Sequence, residues 1–523
     1  MTINDLRADT ILTNANVYTV DKNKNSAEAI AIKDGKIIFI GSDSEIMNYK
    51  GDKTTVYDLE KKLVLPSFID SHMHPAVSAI DYLFRIQLRG VFTREDYLVR
   101  VKEFVEKNPN LEEYEGSGFQ RSAFGEYGPI KEDLDKIMPN KPMSLSSVDG
   151  HSLWVNSKTL ELAGITKDTP SPAGGVIKKD PETGEPTGLL TESARNAVKE
   201  LFTPPTKEQY KESILWLQKW FNSLGLTSCH DAIVEFEPDY YMAYEELARE
   251  GKLTIRFRGS WLITPEIVGG GEGQSDDFIP EMTIDEAIAH AVEVSKTFQT
   301  PYWQINSFKF FSDQVIEEET GFMKEAYKHR DDNWHGIKVW KDDFLREAFQ
   351  KCDAVGFNIH THQIGDAAAD YALTALEYAV DKNGKRDSRH TFAHIQVIED
   401  SDVARMKKLG MTAVIAPYWT EIDDYYWELY YPFLGEKLAH DGQYRGASLF
   451  EAGINTSFHS DFSVTEPDYG WALYTAVTRT QPEKIFKEEQ GDKASTNLRT
   501  TDFSVKLKNG EIGPLGTKEE CLT

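Results

Sequence analysis

An apolar run, Leu63-Val64-Leu65-Pro66-Ser67-Phe68-Ile69, leads into Asp70-Ser71-His72-Met73-His74. Side chains two apart on a strand share a face, so His72 and His74 can present two imidazoles to one point. Imidazole is the commonest protein metal ligand. Two surface histidines reach that spacing by chance, but at the end of a buried-looking strand the pair points to a metal site.

Other apolar runs end in groups with related chemistry. Lys309 lies within Ser307-Phe308-Lys309-Phe310-Phe311, and His362, His394 and Asp461 close or follow later runs. Each has a plainer reading. Lys309 can be a core lysine paired with a carboxylate. Burial among phenylalanines, however, lowers a lysine's pKa, and a neutral amine reacts with carbon dioxide to give an anionic carbamate able to bridge two metals. His362 and His394 have same-face rivals, His360 and His390, any of which can be a hydrogen-bonded core histidine. Asp461 can cap the following helix. His459 shares its face and is read as a group behind the ligands or facing substrate.

These residues need elements to hold them. Residues 1–65 carry short β-branched runs separated by turns such as Lys33-Asp34-Gly35-Lys36 and read as part of a small antiparallel sheet. From residue 206, strands alternate with helices: GLTSCHD, TIRFRGSW, INSFKFF, GFNIHTH, HTFAHIQ, MTAVIA and NTSFHSD. With LVLPSFIDSHMH they make eight strands, most followed by a helical segment. Ser401–Gly410 is typical, with acids first, lysines last and a glycine stop. Eight βα units predict a (β/α)8 TIM barrel over 66–76 and 206–480, with its active site at the C-terminal strand ends. Residues 77–205, far longer than an ordinary βα connection, are expected to form an inserted subdomain after barrel strand one.

The chain has 523 residues, 40% of them hydrophobic, enough for a sizeable core. A net charge of −27 argues against nucleic acid as a partner. Cys229, Cys352 and Cys521 are too few and scattered for a disulfide framework or a cysteine zinc site. The N-terminus lacks the pattern of a signal peptide, and no run approaches the roughly 20 apolar residues of a membrane span. A cytoplasmic protein is expected, without membrane association.

The ordered motifs PSFIDSHMHP, DGHSLWVNSKTLELAGI, PAGGVIKKDPETGEPTGLLTE, LGLTSCHDA, FKFFSD, HTHQIGDAA, HTFAHIQ and HSDFSV resemble the amidohydrolase superfamily. More narrowly, they resemble amidohydrolase family 3, which includes N-substituted formamide deformylases. The likeness runs from about residue 8 to the C-terminus. It implies a metal-binding TIM barrel flanked by a β-sandwich. It also implies His72, His74, Lys309 as a carbamate (carboxylysine), His362, His394 and Asp461 as ligands. His362 is selected because Gln363-Ile364-Gly365-Asp366 follows it, and His394 because Ile395-Gln396 follows it. The chain departs from the family pattern at Ala393, Gln314, Ala367 and His459. Family members continue into a helix and strands that complete the sandwich, whereas this chain stops at Thr523. The sandwich, begun by residues 1–65, is therefore expected to be incomplete, and 481–523 to be a truncated tail.

The function implied is metal-dependent hydrolysis of an amide or formamide-like C–N bond in a small molecule. Zinc is the expected ion, two if Lys309 is carbamylated and one otherwise. Asp461 is the expected proton-transfer group and His151, in Asp149-Gly150-His151, the expected substrate-facing group. Deaminase or lactonase chemistry on the same site, or a catalytically silent binding or regulatory protein, are the alternatives. The aromatics Tyr418-Trp419 and Tyr425–Phe433 after strand seven are read as lid packing, a homodimer interface or a pocket lining.

Overall fold

The computed structural model describes residues 7–21, 23, 25–124, 128–172, 174–275, 277–420 and 425–478. The expected tail 481–523, Cys521 and any C-terminal strands of the sandwich lie outside the described residues. The chain divides into two units, the first ending at Phe68 and the second beginning at Ile69.

The first unit holds two small sheets. One runs in the order Lys36–Gly41, Ala29–Lys33, Thr10–Thr13, Thr55–Asp58, and the other Ser26–Ala27, Asn16–Tyr18, Leu63–Val64. Val17 of the second and Ile30 of the first share one buried cluster. Leu63-Val64 belongs here, within the expected bounds 1–65, paired parallel with Asn16-Val17, and the barrel strand that the same apolar run also suggested begins only at Phe68. Pro66, which has no N–H to donate to a ladder, stands between the two.

The second unit is built on eight strands: β1 Phe68–Met73, β2 Leu226–Val234, β3 Arg256–Leu262, β4 Trp303–Phe311, β5 Asn358–Gln363, β6 Thr391–His394, β7 Thr412–Ile415 and β8 Asn455–Phe458. They neighbour one another in chain order, and β2 to β8 pair in parallel. Helices intervene: α1 Pro75–Phe84, α2 Lys207–Ser223, α3 Pro238–Arg249, α4 Ile284–Thr297, α5 Asp342–Ala354, α6 Asp366–Asn383, α7 Asp400–Leu409, α8 Gly446–Glu451 and, after β8, α9 Tyr469–Thr478. Local chemistry marks their ends. Thr206 with Gln209 and Thr283 with Glu286 form capping boxes at α2 and α4. The α7 helix stops at Gly410, in the left-handed conformation with φ 72°.

The first and last strands are joined just beyond their ends. Asp461 N donates to His72 O at 3.0 Å, and His74 N donates to Phe462 O at 2.7 Å. This is a (β/α)8 barrel. Between α1 and α2 lies a further six-stranded sheet, in the order Gly175–Lys179, Pro186–Glu192, Ser152–Val155, Met143–Ser147, Tyr114–Phe119, Ile86–Gln87. Trp154, fully buried, packs edge-on against Phe119 and Phe124 and donates its Nε1–H to Ile130 O at 2.8 Å. Among the described residues no helix is long and apolar enough to cross a membrane.

Candidate metal centre

The bonds that join β8 to β1 also assemble the site. They hold Asp461 beside the His-x-His pair, with Oδ1 3.1 Å from His74 Nε2 and 3.4 Å from His72 Nε2. Beneath them, the buried Asp70 carboxylate accepts the N–H groups of His72 at 3.2 Å and Ser460 at 3.1 Å. His72 is the fifth residue of β1, while His74 lies past the strand and caps α1. Their rings are 5.3 Å apart and perpendicular.

The other expected groups come from β4, β5 and β6. Lys309 is buried in β4 with Nζ 3.4 Å from His72 Nε2. His362 of β5 and His394 of β6 lie ring to ring at 4.6 Å, and His394 is 4.8 Å from His72. His394 Nδ1 stands 3.9 Å from Asp461 Oδ2. His362 Nε2 also lies 3.0 Å from the Gln314 carbonyl oxygen. The rivals separate cleanly. His360 faces the centre, its Nε2 2.7 Å from His72 Nδ1. His390 turns to the base of the barrel, 3.3 Å from Asp353 and bonded through Nδ1 to Ile359 N.

The loops after β4 and β5 lock these side chains. The buried Asp313 carboxylate accepts three backbone N–H bonds, from Gly365 at 2.7 Å, Ile364 at 2.9 Å and Phe322 at 2.9 Å. Gly365 is required there, because a Cβ would lie 2.0 Å from the Phe322 carbonyl oxygen. His394 and Asp461 both adopt positive φ, 76° and 56°. Non-glycine residues pay on the order of 1–3 kcal/mol for such conformations, which persist where surrounding bonds over-determine them.

Burial governs the titration of the cluster. It holds His72, His360, His362 and His394 well below the usual histidine range, His459 at about 4 and His230 at about 3. The imidazoles are therefore neutral, as metal ligation requires. Burial also brings Lys309 down to about 7, with Asp461 opposing. For Asp461, burial works upward, but the hydrogen bond and charge of His74 and the nearby His459 and Lys309 outweigh it and keep the carboxyl below its ordinary value.

The donor set fits a divalent ion. A nitrogen or oxygen from each of His72, His74 and Asp461 lies within 4.8 Å of the others, and the same holds for His394, His459 and Asp461. His74 Nδ1, His394 Nδ1 and both ring nitrogens of His459 are buried without a hydrogen-bond partner among the described residues. Imidazole with carboxylate is a zinc-type donor set, shared by manganese, iron and cobalt.

Above the cluster opens a cavity of about 710 Å³, lined by His151, His362, His394, Asp461 and the aromatics Tyr418, Trp419, Tyr425, Tyr430 and Tyr444 among others. The aromatic stretch thus contributes to the cavity, while Tyr426 and Tyr430 also pack into a buried cluster with Ile316, Met323 and Tyr327. His151 reaches the cavity from the six-stranded sheet, its ring 5.7 Å from His362. Its Nδ1 is 2.9 Å from Glu192 Oε2, and Glu192 Oε1 accepts from Thr320 Oγ1 at 2.8 Å. Burial disfavours the His151 imidazolium, but Glu192 outweighs it and lifts the pKa to about 9.

A family model described as the amidohydrolase family matches residues 55–496, most of the chain. The chain belongs to the amidohydrolase family. Within it, the chain is similar to the N-substituted formamide deformylase of Arthrobacter pascens, 25% identical over 480 residues that cover 90% of this chain and 84% of that protein. It is similar also to the exoenzymes regulatory protein AepA of Pectobacterium carotovorum subsp. carotovorum, 26% identical over 408 residues, 76% of this chain and 82% of that one. The fold is similar to the crystal structure of a metal-dependent hydrolase from Pyrococcus horikoshii OT3, with a TM-score of 0.66 and 22% identity, covering 92% of this chain and 88% of that one.

Two groups were missed or underrated in the sequence. Glu192 stood in a quoted motif, GLLTE, without a role. His459, expected behind the ligands or facing substrate, shares the face of Asp461, the one sequence signal that places it in the cluster.

Proposed function

We propose that this amidohydrolase family member is a metal-dependent hydrolase that cleaves an amide or formamide-like C–N bond of a small molecule, releasing a carboxylic acid and an amine. The observation that carries the reading is a buried His/Asp donor cluster at the C-terminal ends of the barrel strands, directly beneath a cavity of about 710 Å³. The similarity to an N-substituted formamide deformylase supports the choice of bond.

In this reading His72, His74, His362, His394 and Asp461 would hold one or two divalent ions, zinc first, with Lys309 joining as a carbamate when two are bound. Such an ion supplies water acidified toward a pKa of about 7 and polarises the scissile carbonyl. Asp461 takes a proton from the attacking water and delivers it to the leaving nitrogen. His151, anchored by Glu192, offers its other ring nitrogen to the substrate oxygen, a donor where negative charge develops. Tyr418, Trp419 and Tyr444 shield the reacting groups from bulk water.

The test is hydrolysis of a panel of amides, N-substituted formamides, lactones and aminopurines by the zinc-loaded protein and by D461N. Turnover of an amide or formamide, reduced about 10³-fold or more in D461N, is the expected outcome. Preference for a lactone or aminopurine would replace the proposed bond. A metal-loaded protein inert toward the whole panel would favour a binding protein on this scaffold.

A further inference from the structure

His459 is 2% exposed, and neither of its ring nitrogens has a hydrogen-bond partner among the described residues. His394, also 2% exposed, has an unpartnered Nδ1, and the two rings are 5.0 Å apart. Leaving a buried polar atom unsatisfied costs about 1–3 kcal/mol, so a ligand that pairs several of them at once is favoured. Three of them here converge beside one carboxylate.

That carboxylate faces two ways. Asp461 Oδ1 lies 3.1 Å from His74 Nε2 and 3.4 Å from His72 Nε2, while Oδ2 lies 3.9 Å from His394 Nδ1. Oδ1 therefore addresses the His72 and His74 pair and Oδ2 turns to His394, while a ring nitrogen of His459 lies within 4.8 Å of both the His394 and the Asp461 donor atoms. Trp419, which lines the cavity with His394, stacks on the His394 ring at 5.6 Å and meets the His459 ring edge-on at 5.4 Å. His362 is differently placed, with its Nε2 already against the Gln314 carbonyl and its ring 5.0 Å from Phe311.

We infer that His459 is a further metal ligand, which joins His394 and Asp461 in holding one divalent ion beside the one that His72, His74 and Asp461 would hold, in addition to the parts given above to His362 and Lys309. Two neutral imidazoles and a carboxylate oxygen suit zinc, cobalt, manganese or ferrous iron. The inference rests on the metal-dependent reading above.

The test is a zinc titration of chelator-stripped protein against a competing chromophoric chelator, for wild type, H459N and H459A. Circular dichroism of the metal-free forms checks their folds. Wild type is expected to take up two equivalents per chain, with both variants binding one of them at least about tenfold more weakly. Anomalous diffraction from zinc-loaded wild-type crystals gives a readout that needs no variant. An ion about 2.0–2.1 Å from a His459 nitrogen is expected. Wild-type stoichiometry and affinity in both folded variants, or zinc density away from His459, would overturn the assignment and leave metal-dependent hydrolysis standing. A wild-type protein that takes up no zinc would overturn both.

Discussion

Replacing Glu192 by glutamine removes the charge that holds His151, and the size of the effect follows from the geometry. The His151 side chain is 12% exposed and that of Glu192 1%, so solvent screens their 2.9 Å contact little. The pair lifts His151 from 6.5 to about 9 against the pull of burial. At 1.36 kcal/mol per pH unit, that displacement is worth about 3 kcal/mol. The folded-state pKa lies above the unfolded one. The contribution is therefore fully present below pH 6.5 and is lost as pH rises through about 9. In E192Q burial and Arg195 are opposed only by Asp149, and His151 should titrate well below its wild-type value. The assay is a pH titration of the histidine ring resonances of metal-free wild type and E192Q, with unfolding midpoints measured from pH 6 to 10. Across that window wild type should lose about 3 kcal/mol more stability than E192Q. A His151 that still protonates near pH 9 in E192Q, or parallel stability profiles, would refute the coupling.

Two further outcomes follow from other parts of the molecule. W154A empties a fully buried site bounded by Phe119 and Phe124 and strands the Ile130 carbonyl. It should cost about 3–5 kcal/mol in urea denaturation, and a loss below about 1 kcal/mol would contradict the packing described. If the Lys309 amine, brought down to about 7 by burial, forms the proposed carbamate, exhaustive dialysis in CO2-free buffer should lower the metal content of wild type and bicarbonate should restore it. K309R should respond to neither treatment, and an unchanged wild type would dismiss the carbamate.

Much of the barrel was legible because its strands are short apolar runs that stop at residues with evident chemistry. His72, Lys309, His362 and His394 sit on or at the ends of such runs; the strand period sets the face each takes, and the parallel order of βα units brings them to one end of the sheet. The first run reads both as the end of the small sheet and as the start of barrel strand one; it divides between Val64 and Phe68, and hydrophobicity alone gives no hint that Leu63-Val64 bonds to Asn16-Val17. The joining of β8 to β1 was also invisible, since the bond from Asp461 N to His72 O links residues far apart in sequence and depends on positive φ at Asp461. Side-chain satisfaction was a third hidden property. His390 and His360 look alike in sequence, yet one bonds at the barrel base and the other faces His72. For the same reason His459 gained weight only when both its nitrogens were found buried and unpaired.

The central claim is that a divalent ion held by the strand-end cluster is required for hydrolysis. Its most direct test is to measure bound metal and turnover on the same preparations, stripped with a chelator and then reloaded stepwise with zinc. The account predicts that amide or formamide hydrolysis disappears with the metal and returns in proportion to the zinc taken up. Hydrolysis that persists undiminished in protein shown to be metal-free would contradict it.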